Sequence, residues 1–518
     1  NVHAQSVSGW TPELALQVKR VGDVVPSPSG HLVAYQVSTA IIEEETSEWR
    51  THIHLAHADG SESRQLTRGE HSATAPSWSP DGNWIAFVSS RTEKSNIWRI
   101  PVDGGEAQQV TDAPESVGAF QWSPDGQQIA FTMVDPQTDE ETRRIEEQDD
   151  AWVVDENLKM THLYVVGIDL DSGERSGRAL TGGDFSVATS GFDWSPNGRQ
   201  IVFTHIPIPN ANAVYTQGDI SSVEVDTGEL VHLIRSGARE SAPKFSPDGE
   251  WIAFLKSDDP VTWAFTSRVH LVAEDGTQER ALRRTYDEQP SIVGWMPDGS
   301  RVLISETRGT INRLSSLPVD GGAAEDLFPA DRMISGTTLN TTGSHFGFVS
   351  QSMSSPPEAF VSATSSMTPV QVSRAQTVTM PPIGQSEVVR WTSEDGTTIE
   401  GIISYPIGYR EGERVPLLVV IHGGPTGVFT QSFISSGGSY PLAAFTERGY
   451  AVLRANPRGS SGYGKEFRYA NYGDWGGGDY RDIMTGVDAM IDRGIADPDR
   501  MGVMGWSYGG YMTSWVIT

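Results

Sequence analysis

Apolar and polar positions repeat along most of the chain in one recurring unit. "SWSPDGNWIAFVS" begins at Ser77, "QWSPDGQQIAFTM" at Gln121, "DWSPNGRQIVFTH" at Asp193, "KFSPDGEWIAFLK" at Lys244 and "GWMPDGSRVLISE" at Gly294. Weaker copies start at Val25 ("VPSPSGHLVAYQVS") and Leu339 ("LNTTGSHFGFVS"). In each unit an aromatic residue, or its equivalent, closes a strand and packs into a core. Ser-Pro-Asp-Gly then turns the chain: Pro presets φ, Asp caps the turn and Gly accepts a positive φ. An apolar run such as "IAFVS" reads as a buried strand. The strand after it, "NIWRIPVDGG" from Asn96 or "HLYVVGIDLDSG" from His162, ends in a hairpin signal. Taking Ser27, Trp78, Trp122, Trp194, Phe245, Trp295 and Asn340 as markers, the gaps are 51, 44, 72, 51, 50 and 45 residues. Most fit four-stranded blades of about 40–50 residues, so seven copies predict a seven-bladed β-propeller.

After Ser350 the unit stops. A Ser/Thr/Pro-rich stretch leads out, and its short apolar runs complete the last blade. "EVVRWTSEDGTTIEGIISYP" predicts a hairpin around Asp395-Gly396. From Arg414 the pattern is α/β. "VPLLVVIHGG" is the continuous apolar run of a strand buried on both faces. "SYPLAAFTERG" predicts a short helix closing on Gly449, and "YAVLRANPRG" a strand. A helix is expected from about Tyr480 to Arg493, with Ile483, Val487 and Ile491 on its core face. "DRMGVMGWS" is a further strand, and "YGGYMTSWVIT" opens another helix. Strand, crossover helix, strand is the mark of a parallel sheet. The division is an N-terminal segment over 1–21, the propeller over 22–375 and a partial α/β-hydrolase domain over 376–518.

Candidate chemistry sits where that last strand meets its helix. "GWSYG", Gly505 to Gly509, has the G-x-S-x-G form of a nucleophile elbow. The bare pattern is weak, but a strand before it and a helix after it are what the elbow requires. Ser507 is the candidate nucleophile. The helix start places backbone N–H groups where a developing oxyanion needs donors. "HGGP", His422 to Pro425, stands where an oxyanion loop belongs. The expected donors are the backbone N–H groups of Tyr508 and Gly424, with Gly423 the second choice. His422 is not the expected base, since in this fold the base follows the serine.

Composition narrows the partners. A net charge of −29 disfavours nucleic acid and anionic membranes, both polyanions. The absence of Cys excludes disulfides, thiolate catalysis and Cys-ligated zinc. No apolar run is long enough for a membrane-spanning helix. "VHA" before Gln5 resembles the end of a signal peptide and favours a secreted or periplasmic origin over a cytoplasmic one. The widest gap holds an acidic insertion, Asp135 to Leu158, that starts with helical character. It reads either as a solvated acidic loop or as a substrate-facing element. His52 and His54 share a strand face at a spacing some metal sites use, but "THIHLAHADG" aligns with "NIWRIPVDGG", so they are ordinary second-strand positions of a blade. Neither a metal nor a cofactor is expected.

The propeller together with "RVPLLVVIHGGP", "NPRGSSGYGKEF" and "MGVMGWSYGGYMTSW" resembles the prolyl oligopeptidase family of serine peptidases, in its acylaminoacyl-peptidase and dipeptidyl-aminopeptidase branch. The resemblance implies hydrolysis of short peptides through an acyl-enzyme, with the propeller restricting access. It matches Ser507 to the nucleophile and Gly424 and Tyr508 to the oxyanion donors. By location it makes Glu146 and Glu147 candidates for holding a substrate's free amino terminus. The family's acid and histidine follow the serine, whereas all 12 histidines here precede Ser507. The expectation is therefore a C-terminally truncated sequence lacking the triad Asp and His. An esterase or amidase, and a binding propeller with an inactive hydrolase-like domain, are the competing readings. Homo-oligomerisation is left open.

Overall fold

The computed structural model describes residues 9–518 except 44, 150, 152, 171–172, 330–331 and 436–439. Seven four-stranded sheets follow one another over 20–65, 74–109, 117–179, 186–234, 240–281, 291–326 and 333–371. They are the blades of the propeller. The wide gap belongs to the third blade, whose insertion carries the helix Asp139–Glu146 between strands Gln128–Val134 and Thr161–Gly167.

The repeated residues do the same work in each blade. Trp78 Nε1 donates to Val25 O of the preceding blade at 2.9 Å. Trp122 reaches Ser77 O at 3.3 Å, Trp194 reaches Gln121 O at 3.4 Å and Trp295 reaches Lys244 O at 3.1 Å. Each indole thus fills the space between two blades and satisfies a backbone carbonyl of its neighbour. The Phe245 ring has no N–H to give; there Asp193 accepts from the backbone Phe245 N at 2.9 Å and from Lys244 Nζ at 3.0 Å. In the turns, the Ser79 hydroxyl donates to Asp81 at 2.5 Å and accepts from Trp84 N at 3.0 Å. Ser123, Ser195 and Ser246 repeat this pair of bonds.

That bonding corrects two markers. Ser27 Oγ accepts from Leu32 N and Asn340 Oδ1 from His345 N, the five-residue reach of Ser79. Ser27 and Asn340 therefore occupy the turn-serine position, and Pro26 and Leu339 the aromatic one. The ring closes between its first and last blades by side-chain packing and hydrogen bonds, with no strand pairing between them among the described residues. Val24, Val33 and Tyr35 share a core with Val349, Ala359 and Val361, and Asn340 Nδ2 donates to Ser27 O at 2.9 Å.

The remaining sheet has five strands in the order Ser386–Thr392, Thr398–Ser404, Ala451–Asn456, Val415–Ile421, Ala496–Gly505. The first pairings are antiparallel; Val415–Ile421 is parallel to both of its neighbours. As the apolar run predicts, Val415–Ile421 is covered on both faces. Leu417, Val419 and Ile421 pack with Ile483 and Met512, while Leu418 and Val420 pack with Phe433 and Leu442. The long helix is Gly478–Asp492. Its inner face is Ile483, Val487 and Met490; Ile491, expected there, is only partly buried. Met490 is on that face because it lies seven residues beyond Ile483, two helical turns.

Two chain segments pass between the propeller and this sheet. Trp10, from the N-terminal segment, is buried with Leu418, Phe433 and Leu442, and its Nε1 donates to Pro382 O at 3.0 Å. Beside it, Lys19 N donates to Gln376 Oε1 and Gln376 Nε2 donates to Lys19 O, both at 3.0 Å. The rest of the contact comes from the propeller end opposite the Ser-Pro-Asp-Gly turns. There Arg468 and Asp287, both fully buried, pair at 2.9 Å, and Asp287 accepts from Gly464 N at 2.8 Å. Gly309 N donates to Gly462 O at 2.6 Å and Gln431 N to Thr310 O at 2.8 Å.

Candidate active site

Strand Ala496–Gly505 and helix Tyr508–Val516 leave two residues between them, Trp506 and Ser507. Ser507 has φ 56° and ψ −120°, a backbone setting that costs an L-residue energy and persists only where the surroundings enforce it. The enforcement is visible at the flanking glycines. A Cβ on Gly505 would lie 2.3 Å from Gly509 O, and one on Gly509 2.1 Å from Ile421 O. Strand, turn and helix thus meet at a distance only glycine permits. Ser507 is exposed at the tip. Its carbonyl accepts from Gly510 N at 2.9 Å and Tyr511 N at 3.1 Å, while Tyr508 N–H, at the first helical position, has no acceptor inside the helix.

The HGGP loop lies against this turn. A Cβ on Gly423 would sit 3.3 Å from Ser507 Cβ and 3.9 Å from its Oγ. Gly424 follows, with Thr426 and Gly427 on its own side. His422 braces the loop. Nδ1–H donates to Gly423 O at 2.8 Å, and Nε2 faces the Ser460 hydroxyl at 2.9 Å. Burial pushes its pKa down to about 4, so the ring is neutral. No hydrogen bond joins it to Ser507 among the described residues.

The Tyr508 side chain is anchored away from the turn. Its hydroxyl bonds Asp479, and Asn471 Nδ2 bonds both, at 2.8 Å to Asp479 and 3.3 Å to Tyr508. Burial raises the Asp479 carboxyl, and burial together with that carboxylate pushes the phenol well above its ordinary range. The first residue of the helix is therefore locked in place by a buried polar cluster.

Glu146 and Glu147 are not brought to Ser507 by any bond among the described residues. Glu146 is exposed at the end of the helix Asp139–Glu146, and Glu147, its C-cap, pairs with Arg143 at 3.2 Å. A capping box of Thr138 and Glu141 starts the helix, which buries none of its residues. His54 stacks on Tyr35 with ring centroids 5.4 Å apart, in strand Ser47–His57 of the first blade.

One residue beside the site went unread in the sequence. Arg454 lies in Ala451–Asn456, buried at all six positions. The signal was available: a lone charge inside "AVLRAN" calls for an explanation that strand-forming tendency does not supply.

The fold and the elbow define a class: an α/β-hydrolase bearing a β-propeller, with a serine at the strand-to-helix turn. The comparisons agree. The sequence model of the prolyl oligopeptidase family matches residues 438–518, and that of the TolB beta propeller domain residues 27–152. The former match places residues 438–518 in the segment that resembles the prolyl oligopeptidase family. Dipeptidyl-peptidase 5 of Porphyromonas gingivalis is 26% identical over 98% of this chain and 76% of its own length. The uncharacterized peptidase YuxL of Bacillus subtilis is 40% identical, over 28% of this chain and 20% of its own. Among solved structures, the acylaminoacyl peptidase of Pyrococcus horikoshii shares the fold with a TM-score of 0.76 at 20% identity, over 98% of this chain and 76% of its own.

Proposed function

We propose that this protein is a serine peptidase that removes short N-terminal units, dipeptidyl or acylaminoacyl, through an acyl-enzyme. The observation that carries the reading is the enforced positive φ of Ser507 at a strand-to-helix turn beside the HGGP loop. In this reading Ser507 Oγ attacks the scissile carbonyl, and its proton passes to a base. His422 is unsuited to that role, being committed to Gly423 and Ser460; no base is assigned among the described residues. The N–H groups of Tyr508 and Gly424 receive the oxyanion, a type of contact worth about 3–4 kcal/mol of transition-state stabilisation per donor. The anchored Tyr508 phenol supports this, because a fixed side chain fixes the backbone N–H beside it.

The propeller, 22–375, would limit access to short chains. The third-blade insertion springs from the end of the ring that contacts the hydrolase domain, which supports Glu146 and Glu147 as groups for a substrate's free amine. The relatives named as peptidases favour this function over simple ester hydrolysis or a purely binding propeller.

A fluorophosphonate probe tests the assignment in the enzyme. Labelling should fall on Ser507 and disappear in Ser507→Ala, together with release of dipeptidyl or acylaminoacyl units, by about three orders of magnitude or more. Labelling at another serine, or undiminished turnover in Ser507→Ala, would overturn it.

A further inference from the structure

Arg454 is 5% exposed, and no carboxylate lies within ion-pair distance of it among the described residues. Its Nε and Nη2 are buried without a hydrogen-bond partner there. Burying a guanidinium unpaired costs several kcal/mol, which is why such groups are nearly always partnered. The stability of the sheet does not call for a charge here: the same face carries Val420 and Val452 beside it. What Arg454 does face is a cavity of about 320 Å³, walled by Phe429, Phe433, Ile434, Gly423 and Trp506. The Phe429 ring lies 6.0 Å from the guanidinium carbon and helps hold it. The cavity borders the nucleophile turn. Trp506 precedes Ser507 in the chain, and the Cβ direction of Gly423 points to within 3.9 Å of Ser507 Oγ.

We infer that this cavity is a carboxylate subsite, in which Arg454 binds an acid group borne by an apolar ligand segment beside Ser507. The chemistry follows from the lining. Apolar walls accept an alkyl or aryl body, and the buried fork of N–H donors fits a carboxylate in two parallel bonds. A neutral amide of the same shape offers one acceptor and no charge, so it leaves the guanidinium unneutralised. Burial lowers the Arg454 pKa to about 10, still well above neutrality, so the group stays cationic. The carboxylate of a substrate could come from an acidic side chain or from a free C-terminus. The use of the site in turnover rests on Ser507 being the nucleophile; its binding of an acid does not.

Calorimetry with 3-phenylpropionate and 3-phenylpropionamide separates charge from shape, and the parent protein alone suffices. The acid should bind at least about tenfold more tightly than the amide. Arg454→Met should abolish the difference, and Arg454→Lys should keep part of it. Equal binding of acid and amide, or an unchanged preference in Arg454→Met, overturns the subsite. The acid should also slow fluorophosphonate labelling of Ser507 in the parent and not in Arg454→Met. Absence of any labelling would count against the peptidase reading while leaving the binding result standing. In turnover, C-terminally amidated peptides with one Glu, compared with neutral free-acid peptides, identify which carboxylate is taken. If Arg454→Met changes neither set relative to neutral amidated peptides, the substrate role is overturned.

Discussion

The two ends of the propeller are built from opposite materials. At the Ser-Pro-Asp-Gly end, short-range bonds are repeated blade by blade, and each Ser–Asp pair closes its own turn within five residues. At the end facing the hydrolase domain, bonds join residues far apart in the chain. Arg468 and Asp287 are separated by 181 positions. The first end is redundant: losing one turn leaves six blades with their own. The second concentrates its energy in a few buried charges, where a missing partner leaves the other exposed to the full cost of desolvation.

Five variants sharpen or break that contrast. Asp287→Ala should have the largest effect, destabilising the protein by about 3–5 kcal/mol in chemical denaturation by stranding Arg468. The double change Asp287→Leu with Arg468→Met should recover most of that loss; failure to recover would mean the charges themselves are needed. Trp122→Phe keeps the ring and removes one bond to Ser77 O, and should cost about 1 kcal/mol. Ser246→Ala should cost about as much, and Met296→Ser, restoring the hydroxyl absent from the sixth turn, should gain a similar amount. A loss as large as that of Asp287→Ala from any of these would end the redundancy argument.

The smallest effect is one of pH. Ser79 holds the Asp81 carboxyl below its ordinary value. That turn therefore contributes stability above the unfolded carboxylate pKa and loses it as pH falls through the folded one. At the other end burial pushes Glu306 up, although it accepts from Thr285 and Tyr286 N. The sign reverses: its contribution is present at low pH and lost as pH rises through the raised value. As pH falls below about 4, amide exchange should speed at Trp84 relative to Tyr286 after correction for intrinsic rates. Equal acceleration at both would remove the distinction.

The same contrast explains what could be read from the sequence. Turn chemistry is local and repeats, so seven blades and their core aromatics were legible. The one-residue slip at Ser27 and Asn340 arose where no aromatic anchored the alignment. The elbow was legible because strand, glycine, serine and helix are contiguous. The Asp287–Arg468 pair was not, since neither residue's neighbours signal a partner in another domain. Nor was the placement of Trp10: one indole in a short segment does not state which core receives it. Its burial depends on Phe433 and Leu442, more than four hundred residues away.

The paired crossings near Trp10 and Gln376 carry a mechanical consequence. A propeller tied to its partner by one strand of chain can swivel about that tether in any direction. Here two crossings run side by side and are stitched to each other, by Trp10 to Pro382 and reciprocally between Lys19 and Gln376. Two tethers a short distance apart act like the knuckles of a door. They resist torsion and leave a single axis of swing, along the line that joins them. Any parting of the domains must then break the Arg468–Asp287 pair, two blades away from the tethers, and that buried pair is the latch.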